Sequence, residues 1–288
     1  MTYVDDAFVK LRSNLEITAT EAATASRRHL ALRDHVKASW DLEDDFLTGS
    51  YRRNTKTKRL KDVDIFVVID PNGKQAGLRS GSAENALEKL QDVLASAFDG
   101  VYVDRMTCVV PYGDQDDVMS LEVAPAFDRS GGGYEIPDTQ SGGWIATNPK
   151  LHHELSTAKN ETCDQKYVPF VKMVKGINRE LGDPVRPSFL LEVMALQLVT
   201  PPFGRYQDEV RWFLASAAEQ VEVSWPDPAG LGPDVNSDMT AYGRREAARV
   251  LSEGLAVAEE AIRLEDAGRE RDAVERWREL FGSRMPRP

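Results

Sequence analysis

Cysteine and histidine are scarce in this chain, with two cysteines and four histidines in 288 residues. Cys108 and Cys163 lie far apart and neither has a CxxC partner, which excludes a disulfide framework and a zinc knuckle and leaves two buried thiols as the expectation. His29 and His35 are six apart on a helical segment, a spacing that turns them toward different faces with no third ligand nearby, so no chemistry is assigned to them. Long apolar runs are missing as well. Nothing approaches the ~18 consecutive apolar residues of a membrane span, and the N-terminal MTYVDDAFVKLRSN has acidic residues where a secretory signal begins basic. The expectation is a cytoplasmic protein with no membrane partner. Positive charge is in deficit too: 36 Lys and Arg against 47 Asp and Glu give a formal net charge of -11. That balance argues against an extended grip on duplex nucleic acid, which relies on many cationic contacts to phosphate.

What is present stands out against that acidity. In LTGSYRRNTKTKRLKDVDIFVVID, residues 47 to 70, Arg52, Arg53, Lys56, Lys58, Arg59 and Lys61 precede Asp62 and Asp64 on alternate positions of an apolar run. A local basic segment of this kind suits a small anionic ligand. DVDIFVVID alternates and then turns apolar and β-branched, the mark of a buried strand, and PNGKQAGLRSGS ends it with turn chemistry.

Along the rest of the chain, the first forty residues read as one long helix, kinked or straight, with Leu32, Val36 and Trp40 recurring every four residues. AENALEKLQDVLASAF is a helix capped by Ser82. VYVDRMTCVVPY and VMSLEVAPAF are strand-like and separated by GDQDD, a hairpin signal. The glycine-rich DRSGGGYEIPDTQSGGW reads as irregular and as the lobe boundary. Beyond it, QKYVPFVKMVKGINREL, PSFLLEVMALQLV, QDEVRWFLASAAEQV, TAYGRREAARVLSEGLAVAEEAIRLEDA and ERDAVERWRELF all read as helices. The expected organisation is an α+β lobe over residues 1–150, a sheet with a long N-terminal helix, and a helical lobe over 151–288.

Strand alternation projects Asp62 and Asp64 to one face about 7 Å apart while Val63 and Ile65 face the core. Two carboxylates with no apolar reason to be there suit a hard divalent cation. Two such ions about 4 Å apart can serve an in-line displacement, and that arrangement wants a third carboxylate. In SLEVAPAFD, Glu122 leaves the core face and joins the site if its strand lies beside DVDIF. Asp128 competes, but it lies past Pro125 and is expected beyond the regular strand. Gly49 permits close backbone approach to a phosphate whose oxygens the Ser50 hydroxyl can bind, and the cations between would neutralise a triphosphate. A charge-guarded edge strand explains the charges but not their order.

These segments, GSYRRNT, DVDIF and LEVAPAF, resemble the active-site signature of polymerase-β-like nucleotidyltransferases, and more narrowly the bacterial cGAS/DncV-like group (CD-NTases). KMVKGINRE followed by PSFLLEVMAL is similar to that family's helical-lobe pattern, and WPDPAGLGPDVN and AVERWRELFGSRMP to its closing segments. The resemblance implies a bilobed α+β fold with a mixed central sheet. It implies that Asp62, Asp64 and Glu122 are catalytic and bind two Mg²⁺ ions, with Mn²⁺ as an alternative, and that Gly49 and Ser50 hold the triphosphate. Lys175 and Ser188 would touch its tail. Lys172, three residues earlier on the same helical face, is the other candidate, and spacing to the serine favours Lys175. Phe189 would stack on a base or, alternatively, serve only as helix core. The family's third acid is most often aspartate, so Glu122 is a departure that bears on metal preference and rate.

The function implied is the joining of ATP and other NTPs into a cyclic di- or trinucleotide that acts on a separate effector in anti-phage defence of the CBASS type, by a monomeric enzyme. A linear oligonucleotide synthase, another nucleotidyl transferase and a catalytically dead nucleotide-binding module are the alternatives.

Overall fold

The computed structural model describes residues 2–113 and 117–288. The N-terminal segment is two helices rather than one. Helix α1 (Tyr3–Leu15) and helix α2 (Ala19–Ser39) are separated by an extended stretch at Glu16. The break has a local cause: Thr18 caps α2 while the Glu21 carboxylate returns to the Thr18 N–H, a reciprocal capping box that starts a new helix. A second such box, Thr2 with Asp5, starts α1.

The chain forms two compact units, one Ile17–Glu154 and the other the segment up to Glu16 together with Leu155–Pro288. Helix α1, expected beside the sheet, therefore belongs to the helical unit. Its buried Val4, Phe8, Leu11 and Leu15 recur at helical spacing, and the Phe8 ring meets Trp277 and Phe281 edge-on at 5.2 and 5.8 Å.

In the α+β unit, α2 is followed by strand β1 (Leu42–Leu47), the four-residue helix α3 (Gly49–Arg52) and strand β2 (Leu60–Ile69). Helix α4 (Ala83–Ala95) leads to β3 (Tyr102–Asp104), β4 (Thr107–Pro111), β5 (Val118–Asp128), β6 (Tyr134–Asp138) and β7 (Gly143–Thr147). The mixed sheet runs β1-β2-β5-β4-β3, with β6 on β5 and β7 on β6. VYVDRMTCVVPY is thus two short strands, and of the GDQDD turn residues 114–116 lie outside the described residues. The glycine-rich run, expected to be irregular, forms the β6–β7 hairpin. The start of helix α5 (Pro149–Thr162), a helix without strong amphipathic patterning, completes the unit.

The centre of the sheet is the parallel ladder of β2 with β5. Val63, Ile65, Val67, Leu121 and Val123 pack on one face with Leu32, Val36, Leu87 and Leu90 of α2 and α4. The opposite face carries the acids and then Phe66, Val68, Ala124 and Ala126 under Tyr134 and Ile136. β2 therefore alternates acid with apolar at its start and is apolar on both faces at its end. Strand β5 does not stop at Pro125, as expected, but continues to Asp128. Pro125 stands between the last β4 partner, Val123, and the first β6 partner, Phe127, and is paired in register with Val67 of β2.

In the helical unit, α6 (Tyr167–Glu180), α7 (Phe189–Leu198), α8 (Tyr206–Gln220), α9 (Ala241–Asp266) and α10 (Glu270–Phe281) match the five expected segments. Gly268 and Gly282 follow the last two with positive φ. Asn236, fully buried, ties down the loop between α8 and α9 by accepting from the Trp225 N–H and donating to the Val223 carbonyl.

Phe8→Ala is expected to cost about 3–5 kcal/mol, the usual price of deleting a fully buried aromatic. Urea unfolding followed by tryptophan fluorescence measures it, and a cost below about 1 kcal/mol would contradict the docking of α1 in the helical core.

Candidate active site

The β2–β5 ladder decides where the acids lie. Asp62 pairs in register with Ser120 and Asp64 with Glu122, so the aspartates of one strand and the glutamate of its neighbour project from the same face. One carboxylate oxygen from each of Asp62, Asp64 and Glu122 falls within 4.8 Å of the others. The sequence expectation that Glu122 joins the pair holds geometrically, whereas Asp128 at the far, exposed end of β5 is not part of the cluster.

Gly49 meets the acids directly. Its φ is +59°, in the left-handed region where a side chain is strained, and a Cβ there would lie 1.7 Å from Asp64 Oδ2. The Thr48 N–H donates to the Asp64 carbonyl at 2.8 Å, which locks the turn onto β2. Ser50 is largely buried, and its carbonyl accepts the Thr55 and Lys56 N–H groups at 2.9 and 3.2 Å. The basic segment is thereby folded back over its own start. Its six cations separate: Arg52, Lys58, Arg59 and Lys61 are exposed and Arg53 is buried, while Lys56 Nζ reaches Asp62 Oδ2 at 2.5 Å. Nothing in the spacing of the run distinguishes Lys56. Glu21 anchors the far end of the segment, accepting the Leu60 N–H at 2.8 Å where β2 begins.

Crowding three carboxylates has an electrostatic consequence. Burial, followed by the negative charges of Asp64 and Asp62 and a lesser one from Asp104, pushes the Glu122 carboxyl up to about 7, with Lys56 acting in the opposite sense. Withdrawal from water is the larger reason the proton is held there, and the neighbouring carboxylates add to it. An all-oxygen donor set of three carboxylates fits a hard divalent ion, as thiolates or imidazoles would not.

The other expected residues lie in the helical unit. Lys175 on α6 is nearly buried and its ammonium contacts Glu192 Oε1 at 2.9 Å, in the first turn of α7. Lys172, one turn earlier, is buried and paired with Glu16. Ser188 is exposed at the N-terminal end of α7, and Phe189 is half-buried against the helical core. Glu192 was not foreseen; its only sequence signal is an acid in an otherwise apolar stretch, FLLEVMAL.

The raised Glu122 pKa predicts a pH dependence. A carboxyl whose folded pKa lies above its unfolded value contributes stability that is complete below about 4.5 and is lost as pH rises through about 7. In the metal-free protein this amounts to roughly 3 kcal/mol, at about 1.4 kcal/mol for each unit. Thermal melts between pH 5 and 8 should show a declining Tm that Glu122→Gln flattens; equal slopes in both proteins would contradict the assignment.

Comparison with known proteins bears on the chain as a whole. Residues 1–160 match SMODS, the Second Messenger Oligonucleotide or Dinucleotide Synthetase domain. A cyclic AMP-AMP-AMP synthase from Acinetobacter is 26% identical over 97% of this chain and 84% of its own length. A cyclic UMP-AMP synthase from Rhodothermus marinus is 24% identical over 67% of this chain and 77% of its own length. The fold is similar to that of the Bradyrhizobium diazoefficiens CD-NTase CdnG solved with GTP, with a TM-score of 0.77, 16% identity and coverage of 99% of this chain and 96% of that one. It is also similar to that of the Vibrio cholerae cyclic AMP-GMP synthase DncV, a prokaryotic cGAS homologue, with a TM-score of 0.63, 12% identity and coverage of 84% and 70%. The matched segment takes in the seven strands found among the described residues and the three clustered acids: the chain belongs to the SMODS family, among the bacterial cGAS/DncV-like nucleotidyltransferases.

Proposed function

We propose that this chain joins nucleoside triphosphates into a cyclic di- or trinucleotide, with a ribose hydroxyl attacking an α-phosphate in line and pyrophosphate leaving at each step. The observation that carries the reading is the approach of Asp62, Asp64 and Glu122 from two adjacent strands to within 4.8 Å, beside a turn at Gly49 that no side chain can enter. Family membership and the cyclic-nucleotide synthases among its relatives support it.

In this reading Asp62, Asp64 and Glu122 would hold two Mg²⁺ ions, or Mn²⁺. When bound, such ions would sharpen the attacking hydroxyl as a nucleophile and offset charge on the leaving oxygen. The residues of this chain position the reactants. Asp62 and Asp64 are held rigid by a strand whose alternate residues are locked in the core, and the Gly49–Ser50 turn offers its backbone and hydroxyl to the triphosphate. In the helical unit, the family resemblance assigns nucleotide contacts to Lys175 and Ser188, an ammonium and a hydroxyl for phosphate oxygens, and to Phe189, a ring for a base. The product acts on a separate effector in anti-phage defence.

The test is incubation with labelled ATP, GTP, CTP and UTP in Mg²⁺ or Mn²⁺, phosphatase treatment and mass spectrometry of the protected products. The expected result is a phosphatase-resistant cyclic nucleotide that disappears in Asp62→Ala, Asp64→Ala. A linear product with a free terminal hydroxyl would replace cyclisation by oligomer synthesis, and no pyrophosphate release in either metal would reject the enzyme. Gly49→Ala, which drives a methyl into Asp64, should lower pyrophosphate release on the order of a hundredfold; near-normal turnover would mean that the turn is not part of the site.

A further inference from the structure

The contact between Lys56 and Asp62 bears on how cations enter the triad. Lys56 Nζ lies 2.5 Å from Asp62 Oδ2, and the two side chains are 14% and 33% exposed, so this is not a loosely solvated surface pair. The lysine is also held by its backbone, since its N–H donates to the Ser50 carbonyl alongside that of Thr55. The same carbonyl therefore joins the Gly49–Ser50 turn to the residue whose ammonium covers an acid. Lys58, Arg59 and Lys61, a few residues on, are exposed.

An ammonium at that position does two things. It offsets part of the repulsion among three crowded carboxylates, and it occupies an oxygen that a divalent ion would take. We propose that Lys56 is a resident counter-cation of the acidic triad, a positioning residue that holds Asp62 in place in the metal-free protein and that a divalent ion must displace from Asp62 Oδ2 in order to bind. The proposal rests on the reading of the triad as a metal site. No covalent step is involved; the ammonium keeps its proton and exchanges one oxygen partner for another.

The consequence is opposite in sign to that of an ordinary site lysine. Removing Lys56 should strengthen cation binding while weakening the metal-free fold. Mn²⁺ titration without nucleotide, followed by the electron paramagnetic resonance signal of the free ion, reads the first effect, and thermal melts with and without Mn²⁺ read the second. Lys56→Met is expected to bind Mn²⁺ roughly tenfold more tightly than the unsubstituted protein. It should have a lower Tm without metal and a larger gain in Tm when metal is added. Lys58→Met removes the same formal charge from an exposed position and is expected to change affinity less than twofold. Unchanged or weaker binding in Lys56→Met would overturn the proposal, and so would equal tightening in both variants, which would trace the effect to net charge rather than to the contact.

Should Lys56→Met not fold, the unsubstituted protein supplies a second measurement. Acetylation of Lys56, followed by peptide mass spectrometry, should accelerate when Mg²⁺ is added, because displacement frees the amine; no acceleration would overturn the proposal. Failure of the underlying metal reading gives a different result, since Mn²⁺ would then bind Asp62→Asn, Asp64→Asn as well as it binds the unsubstituted protein.

Discussion

Everything at the acidic site depends on the register of one parallel ladder. Pairing Asp64 of β2 with Glu122 of β5, rather than with either neighbour, puts three carboxylates on one face, and a slip of one residue would turn Glu122 toward the core. That register is held from the other side of the sheet, where Val63, Ile65, Leu121 and Val123 are fully buried against α2 and α4. A slip would exchange those side chains for acids inside an apolar layer. The apolar face thus fixes the position of the charged one, and the core offsets the repulsion that the charged one creates.

The close turn at Gly49 is a second consequence of the same geometry. The loop lies against Asp64 closely enough to exclude a Cβ, so the turn and the carboxylate share one crowded space. Relief comes in two forms: the Glu122 carboxyl retains its proton to a higher pH, and the Lys56 ammonium sits on Asp62. Both respond to too much negative charge in too little solvent.

Helix α6 in the helical unit handles charge in another way. Lys172 and Lys175, one turn apart, are both withdrawn from water, and each meets a carboxylate, Glu16 beyond the end of α1 and Glu192 on α7. Leaving either lysine there alone would be costly; Glu192 is itself buried in the helix packing, whereas Glu16 meets Lys172 from the exposed side. The Tyr167 hydroxyl donates to the Glu192 carbonyl, adding a backbone tie at the same point.

Much of this was legible in the order of residues, and the exceptions have identifiable causes. The alternation in DVDIF revealed both the strand and its acidic face because period-two patterning is a local property. The break between α1 and α2 was also present locally, in Thr18 and Glu21, but the continuous run of helix formers around it masked the cap. Strand β1 escaped notice because LEDDFL places acids where a strand is usually apolar, and the β6–β7 hairpin because glycine and turn residues surround it. By itself the sequence determined which residues carry charge, which alternate, and which face of β2 is apolar. Only the tertiary structure decided that Glu122 lies beside Asp64, that Lys56 rather than another of six cations reaches the acids, and that the first helix joins the last. Periodicity is written between neighbours in the chain, whereas an ion pair or a strand register is chosen by the packing of segments far apart along it.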